Sequence, residues 1–82
     1  MKIVYSKRFQ QDLLKASSCH LIEKVKKLVE IVSKNPLQTP PPFEKLNSPR
    51  NTYSRRINVQ HRLVYELYET YIKFLTCWGH YE

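Results

Sequence analysis

The sequence predicts an α+β fold in which two N-terminal helices pack on one face of a small, mainly antiparallel twisted β-sheet, in the order β-α-α-(β)-β-β-β. Three observations predict it. Apolar residues between positions 7 and 34 recur at helical spacing, the period of one buried face of an α-helix. Apolar and polar residues alternate from Tyr53 to Asn58 and again from His61 to Tyr68, the period of half-buried strands. A proline-rich stretch between them carries prolines 36, 40, 41, 42 and 49, separating a helical half from a strand half.

Lys2-Ile-Val-Tyr5 is a short β-prone run, and Ser6 follows as a candidate N-cap. Phe9, Leu13 and Ala16 define an amphipathic helix over about residues 7 to 17. Ser17-Ser18-Cys19-His20 interrupts it, and either serine is a candidate cap for the next helix. There Ile22, Val25, Leu28, Val29 and Val32 form one apolar stripe. Glu23, Lys24, Lys26, Lys27 and Glu30 fall on the remaining faces, which reads as a solvated surface. Asn35-Pro36 ends the helix, because proline pushes the residue before it out of the α region. Pro40-Pro41-Pro42 predicts a stiff, extended connector of polyproline II type. Phe43-Glu44-Lys45-Leu46 reads as a short edge strand anchored by Phe43 and Leu46. Tyr71 to Trp78 is a further strand after a Glu69-Thr70 turn, completing an antiparallel meander with the two before it. Which strand the N-terminal one joins is left open at this level. At 82 residues the chain is expected to form one domain, residues 1–82, around one core.

The stretch Tyr53 to Tyr65 organises the rest. A turn centred on Val59 places Ile57, Leu63, Tyr65 and Leu67 on the core side. Ser54, Arg56, Asn58, Arg62, Val64 and Glu66 then fall on the other side. That register sets Arg56 opposite Arg62. Like charges facing each other on a sheet are destabilising, so an anion is expected near them, and planar guanidinium groups suit phosphate. The alternative is that both are simply solvated surface charges.

Composition narrows the function. Fourteen Lys+Arg against seven Asp+Glu leaves a net charge of +7, a strong bias towards a polyanion such as RNA, DNA or an acidic protein segment. Six Tyr, three Phe and one Trp serve either base stacking or a small core. Cys19 and Cys77 are too few for a zinc site and are expected to be reduced, mostly buried thiols. The single glycine, Gly79, excludes a glycine-rich phosphate loop. No apolar run reaches membrane-spanning length and the N-terminus lacks an apolar signal core, so a cytoplasmic protein is expected.

Metal-free RNA cleavage needs a base for the 2′-OH proton, a cation for the phosphorane and an acid for the departing 5′-oxygen. Glu44, Arg62 and His80 supply one candidate for each. Arg56 adds a second cation, and Tyr81 is placed to orient the phosphate or stack on a base. By parity His61 points to the core side with Leu63 and Tyr65, which predicts a structural or supporting role. Taken singly, Glu44 reads as a surface residue and His80 as a tail residue; the combination with the facing arginines carries the hypothesis.

The set Ser54-Arg-Arg-Ile57, His61-Arg-Leu-Val-Tyr65 and the terminal His80-Tyr81 resembles the YoeB/Txe toxins of the RelE/ParE-like superfamily of bacterial toxin–antitoxin systems. The resemblance spans nearly the whole chain, including Lys2-Ile-Val-Tyr-Ser6 and the Pro-rich approach to Phe43-Glu-Lys-Leu46. It implies a ribosome-dependent mRNA endonuclease that acts in the aminoacyl site without cofactor or metal. It also implies neutralisation by a cognate YefM/Axe-like antitoxin and a possible toxin dimer within that complex. By position Glu44 matches the general base, Arg62 the phosphate-stabilising arginine, His80 the general acid and Tyr81 the near-terminal tyrosine. Arg56 matches a basic residue of the same groove, and Lys45, Arg55 and His61 are placed with it among the expected RNA contacts. The chain departs from the pattern in Glu82, which follows the tyrosine, and in the glycine-poor loop Asn47-Ser-Pro-Arg-Asn51.

Three other readings compete: a basic module that only grips RNA or the ribosome, a ParE-like toxin directed at gyrase, and an inactive remnant that titrates antitoxin. Glu44 and His80 discriminate, since a pure binder needs the basic residues but not that acid–base pair.

Overall fold

The computed structural model describes residues 1–47 and 51–79 of the chain. The elements run β1 (Lys2–Tyr5), α1 (Lys7–Ser18), α2 (Ile22–Lys34), β2 (Glu44–Lys45), β3 (Thr52–Arg56), β4 (Arg62–Leu67) and β5 (Tyr71–Thr76). The strands form one sheet in the order β1-β5-β4-β3-β2. β2, β3, β4 and β5 pair antiparallel in succession, and β1 joins the free edge of β5 in parallel, with Ile3 beside Ile72 and Tyr5 beside Phe74. The α+β arrangement expected from the sequence is the one found, and the partner of β1, open at the sequence level, is β5.

Ser6 couples the first strand to the first helix. Its Oγ accepts the Phe9 N–H at 2.9 Å, capping α1, and its hydroxyl donates to the Leu75 carbonyl at 2.7 Å. A cap of this kind contributes about 1 kcal/mol, and here it also ties the helix start to β5. The helices bury Phe9, Ala16, Val25, Leu28 and Val32 against Ile57, Leu63, Tyr65, Ile72, Phe74 and Cys77 of the sheet side. Phe9 and Phe74 rings meet at 5.6 Å, with Tyr5 stacked against both.

Several local expectations are corrected. α2 begins after Leu21, which makes no side-chain capping bond; Ser17 and Ser18 end α1 instead, and Ser18 donates to the Lys15 carbonyl. The serines therefore serve the helix behind them, and His20, at φ 60°, makes the reversal between the two. The Pro40-Pro41-Pro42 triplet is not continuous polyproline II: the Thr39–Pro40 and Pro40–Pro41 bonds are cis, with bends at Pro40 and Pro41. Cys77 is buried but Cys19, just past the end of α1, is exposed. Val64 and Glu66 lie on the face opposite the helices, as alternation requires, yet both are buried, as are their neighbours Thr52, Ser54 and Thr76. Alternation decides which face a side chain takes; it does not decide whether that face is covered, and β4 is a central strand.

Candidate active site

The hairpin of β3 and β4 has the register expected for it, with Arg56 opposite Arg62, Ser54 opposite Val64 and Tyr53 opposite Tyr65. Asn58 shapes the connection: its Oδ1 accepts the backbone N–H groups of Gln60 and His61 at 2.9 and 2.7 Å. Asparagine closes turns in this way because its short side chain imitates a backbone carbonyl. β2 then adds on the far side of β3, with Glu44 opposite Ser54 and Lys45 opposite Tyr53.

Alternation within this edge explains why Glu44 is presented. Phe43 packs inward, edge-on to Tyr53 at 5.6 Å and beneath the Arg55 guanidinium at 5.1 Å. Successive side chains on a strand point to opposite faces, so anchoring Phe43 turns Glu44 outward beside the arginines. The Glu44 carboxylate lies 3.1 Å from Arg62 Nη2, with the glutamate side chain 69% exposed and the arginine 18%. Arg62 Nε donates to Ser54 Oγ at 2.6 Å. Serine thus fixes the orientation of a guanidinium that the carboxylate also holds. Pro42, Phe43, Glu44, Arg56 and Arg62 together line an open groove of about 220 Å³. Part of the anionic charge expected between the facing arginines is supplied by the protein itself.

Of the expected site residues, Glu44, Arg56 and Arg62 are brought together in this groove. Lys45 follows Glu44 and is exposed on the same edge strand. His80 and Tyr81 lie outside the described residues, as does Glu82. The chain leading to them is described through Gly79. Its Trp78 ring stacks on His61, centroids 3.8 Å apart, and the Gly79 N–H donates to His61 Nδ1 at 2.8 Å. His61 thus packs against the segment that follows β5.

Arg55 is different from what was expected of it. It is fully buried on the other face and contributes nothing to the groove. Its Nε donates to Tyr65 Oη at 3.2 Å, Nη1 to the Pro41 carbonyl at 2.6 Å and Nη2 to the Pro36 carbonyl at 3.1 Å. Tyr65 Oη in turn donates to Pro36 at 2.7 Å. Burial raises the Tyr65 pKa, while the Arg55 hydrogen bond and charge pull against that rise. The guanidinium is thus a fastener for the proline-rich connector, which carries Phe43 and Glu44. The signal for this was present in the sequence: counting from Ile57, Arg55 falls on the core side. A second buried polar residue, Asp12, carried no functional expectation. It accepts from Arg8 Nε at 3.1 and 3.2 Å and from the Cys77 N–H at 3.2 Å, joining α1 to the end of β5. An aspartate on the apolar side of an amphipathic helix is the trace it leaves in the sequence.

Among the described residues no helix is long and apolar enough to cross a membrane. No group of three or more His, Cys, Asp or Glu side chains gathers among them in a way that could hold a metal ion.

A family model described as the YoeB-like toxin of bacterial type II toxin-antitoxin systems matches residues 5–81. Comparison with curated protein sequences returns no match. Among solved structures, the YoeB dimer from Staphylococcus aureus is 32% identical, with a TM-score of 0.81 over 99% of this chain and 98% of that one. A heterotetrameric YoeB-YefM toxin-antitoxin complex from the same organism matches at 32% identity and a TM-score of 0.78, over 99% and 98%. The DinJ-YafQ complex of E. coli, at 24% identity and a TM-score of 0.84 over 96% and 92%, shares the fold.

Proposed function

This chain belongs to the family of YoeB-like toxins of bacterial type II toxin-antitoxin systems, and we propose that it is an endoribonuclease that cleaves mRNA in the aminoacyl site of the ribosome and so stops translation. The observation that carries the proposal is the Glu44 carboxylate held 3.1 Å from the Arg62 guanidinium, in a groove that Arg56 also lines. An acceptor for a proton and two cations suited to phosphate meet in one place.

In this reading Glu44 takes the proton of a ribose 2′-OH. The freed oxygen attacks the adjacent phosphorus, and the P–O5′ bond breaks. Arg62, oriented by Ser54, bears the charge that gathers on the non-bridging oxygens, the term that commonly dominates such catalysis. His80 delivers a proton to the departing 5′-oxygen, and Tyr81 positions the phosphate. The products are a 2′,3′-cyclic phosphate and a 5′-OH, with no atom gained or lost. Arg56 contacts a neighbouring phosphate, and Lys45, exposed on the same edge strand, adds positive charge nearby without lining the groove. Arg55 is removed from the expected RNA contacts, because its guanidinium is buried against carbonyls and a phenol.

The partner that restrains the toxin is proposed to be a YefM-like antitoxin, in line with the YoeB-YefM complex of S. aureus, with toxin pairing as in the YoeB dimer. Activity on the ribosome places the protein in the bacterial cytoplasm. The experiment is cleavage of a defined mRNA, mapped to the nucleotide, with and without ribosomes. Cuts that require the ribosome and fade in Glu44→Gln, Arg62→Ala and His80→Gln are expected. Ribosome binding by a wild-type protein that never cuts would instead make the groove a binding surface.

A further inference from the structure

We propose that Glu44 and Arg62 form a resting pair that the substrate itself opens: a phosphodiester takes Arg62, and the exchange frees Glu44 to act as the base. The proposal rests on the nuclease reading above and concerns how that site is held until RNA arrives.

The Arg62 guanidinium is engaged on two of its three nitrogens. Nε donates to Ser54 Oγ at 2.6 Å, and Nη2 lies 3.1 Å from Glu44 Oε1. A phosphate held bidentately takes two parallel N–H groups from one edge of the planar fork. The side-chain stem blocks one edge, which leaves Nε with Nη2, and Nη1 with Nη2. Glu44 stands at Nη2, the nitrogen common to both. The pair therefore obstructs the mode of phosphate binding for which arginine is suited. The same contact keeps the carboxylate turned to a cation instead of a ribose hydroxyl, so base and cation neutralise each other while the groove is empty of RNA.

The surroundings favour exchange over a fixed bridge. Arg62 is mostly buried and anchored by buried Ser54, whereas the Glu44 side chain is largely exposed, so the carboxylate is the partner that moves. Its strand is two residues long and lies at the sheet edge, and a side-chain rotation alone takes the carboxylate away. Arg56 stands opposite Arg62, exposed and with no carboxylate partner among the described residues. It offers an entering phosphate a first cation, and displacing Glu44 supplies the second. With Arg56 and Arg62 against Glu44, the groove carries 2 − 1 = +1 at rest, which one phosphodiester cancels. An ion pair exposed on one side is worth little, so a charged ligand that takes two N–H groups can replace it; a fully buried pair would resist.

The test uses the free protein and a dinucleoside monophosphate with 2′-deoxyribose, which carries one phosphodiester and no attacking hydroxyl. Its affinity is measured by NMR titration for wild type, Glu44→Gln and Glu44→Ala, each also in an Arg62→Ala background. The same spectra report that every variant is folded. Glu44→Ala, which empties Nη2, is expected to tighten binding about 3- to 5-fold, the range of an exposed ion pair. Glu44→Gln, whose amide oxygen still accepts from the guanidinium, should gain about 2-fold at most. In the Arg62→Ala background both gains should fall below about 1.5-fold, the coupling that a double-mutant cycle isolates. Should Arg62→Ala bind too weakly to titrate, the difference between Glu44→Ala and Glu44→Gln decides by itself. Equal gains for the two substitutions, or gains that persist without Arg62, would show general repulsion between carboxylate and ligand and overturn the exchange. Absence of binding by wild type and Glu44→Ala alike would overturn it too. The nuclease reading is judged separately, on ribosome-dependent cleavage by the wild type, and survives either result.

Discussion

Arg55 and Arg62 lie on neighbouring strands of one hairpin and have opposite fates. Arg55 is buried beneath the proline-rich connector, its guanidinium directed to the Pro36 and Pro41 carbonyls, the Tyr65 phenol and the face of Phe43. Arg62 sits at the rim of an open groove, held by a serine and by a largely exposed glutamate that a ligand can displace. The first is a charge consumed in building the structure; the second is a charge kept in reserve. Burial separates them, because a guanidinium removed from water needs its hydrogen bonds satisfied by the protein, whereas one at the surface can exchange them.

The comparison can be broken most sharply at Arg55. Arg55→Ala strips donors from buried carbonyls and a phenol and is expected to cost about 3–5 kcal/mol of stability, read by urea denaturation. In a domain whose total is on the order of 5–15 kcal/mol, expression itself should suffer; a loss below about 1 kcal/mol would show that water replaces the guanidinium. Arg62→Ala should do the reverse. Its partner Glu44 is largely exposed and the pair is screened by solvent on that side, so stability should change by only about 1 kcal/mol, whereas mRNA cleavage should fall about 10²- to 10³-fold. Tyr65→Phe sharpens the Arg55 side: losing the hydroxyl that links Arg55 to Pro36 is expected to cost about 1–2 kcal/mol, with cleavage little affected once the protein is folded.

Arg56→Ala sharpens the other side. One lost phosphate contact should weaken RNA binding uniformly across sequences and lower the salt-dependence slope by about 1, measured by titration at several salt concentrations. The smallest effect concerns the thiols. Burial pushes the Cys77 pKa up to about 12, with the Asp12 charge adding to the rise and Arg8 opposing it. At pH 8 Cys77 should therefore stay protonated and resist alkylation while exposed Cys19 reacts, as mass spectrometry of the labelled protein would show. The same raised value has a sign for stability. The unfolded thiol ionises from about pH 9 and the folded one only near 12, so stability should decline across that window.

Much of this architecture is legible in the sequence because it rests on periodicity. The Ile22–Val32 stripe marks α2, and the alternation through Arg56 and Arg62 yields the register that sets them face to face. The same parity, applied one residue earlier, would have assigned Arg55 to the core; residue type outweighed position there, since arginine is so seldom fully buried. The helix junction shows a different limit. Two serines stand at a boundary that either neighbouring helix can use, and the reversal at His20 assigned them to α1.

By itself the sequence determined the elements, the hairpin register and the family to which the chain belongs, because each depends on local spacing or on motif identity. Tertiary structure alone decided that β1 lies parallel to β5, that Arg55 fastens the connector, that Val64 and Glu66 are covered, and that His61 holds Gly79. These depend on contacts between residues far apart in the chain, whose energies outweigh local preference only once the sheet and helices have met.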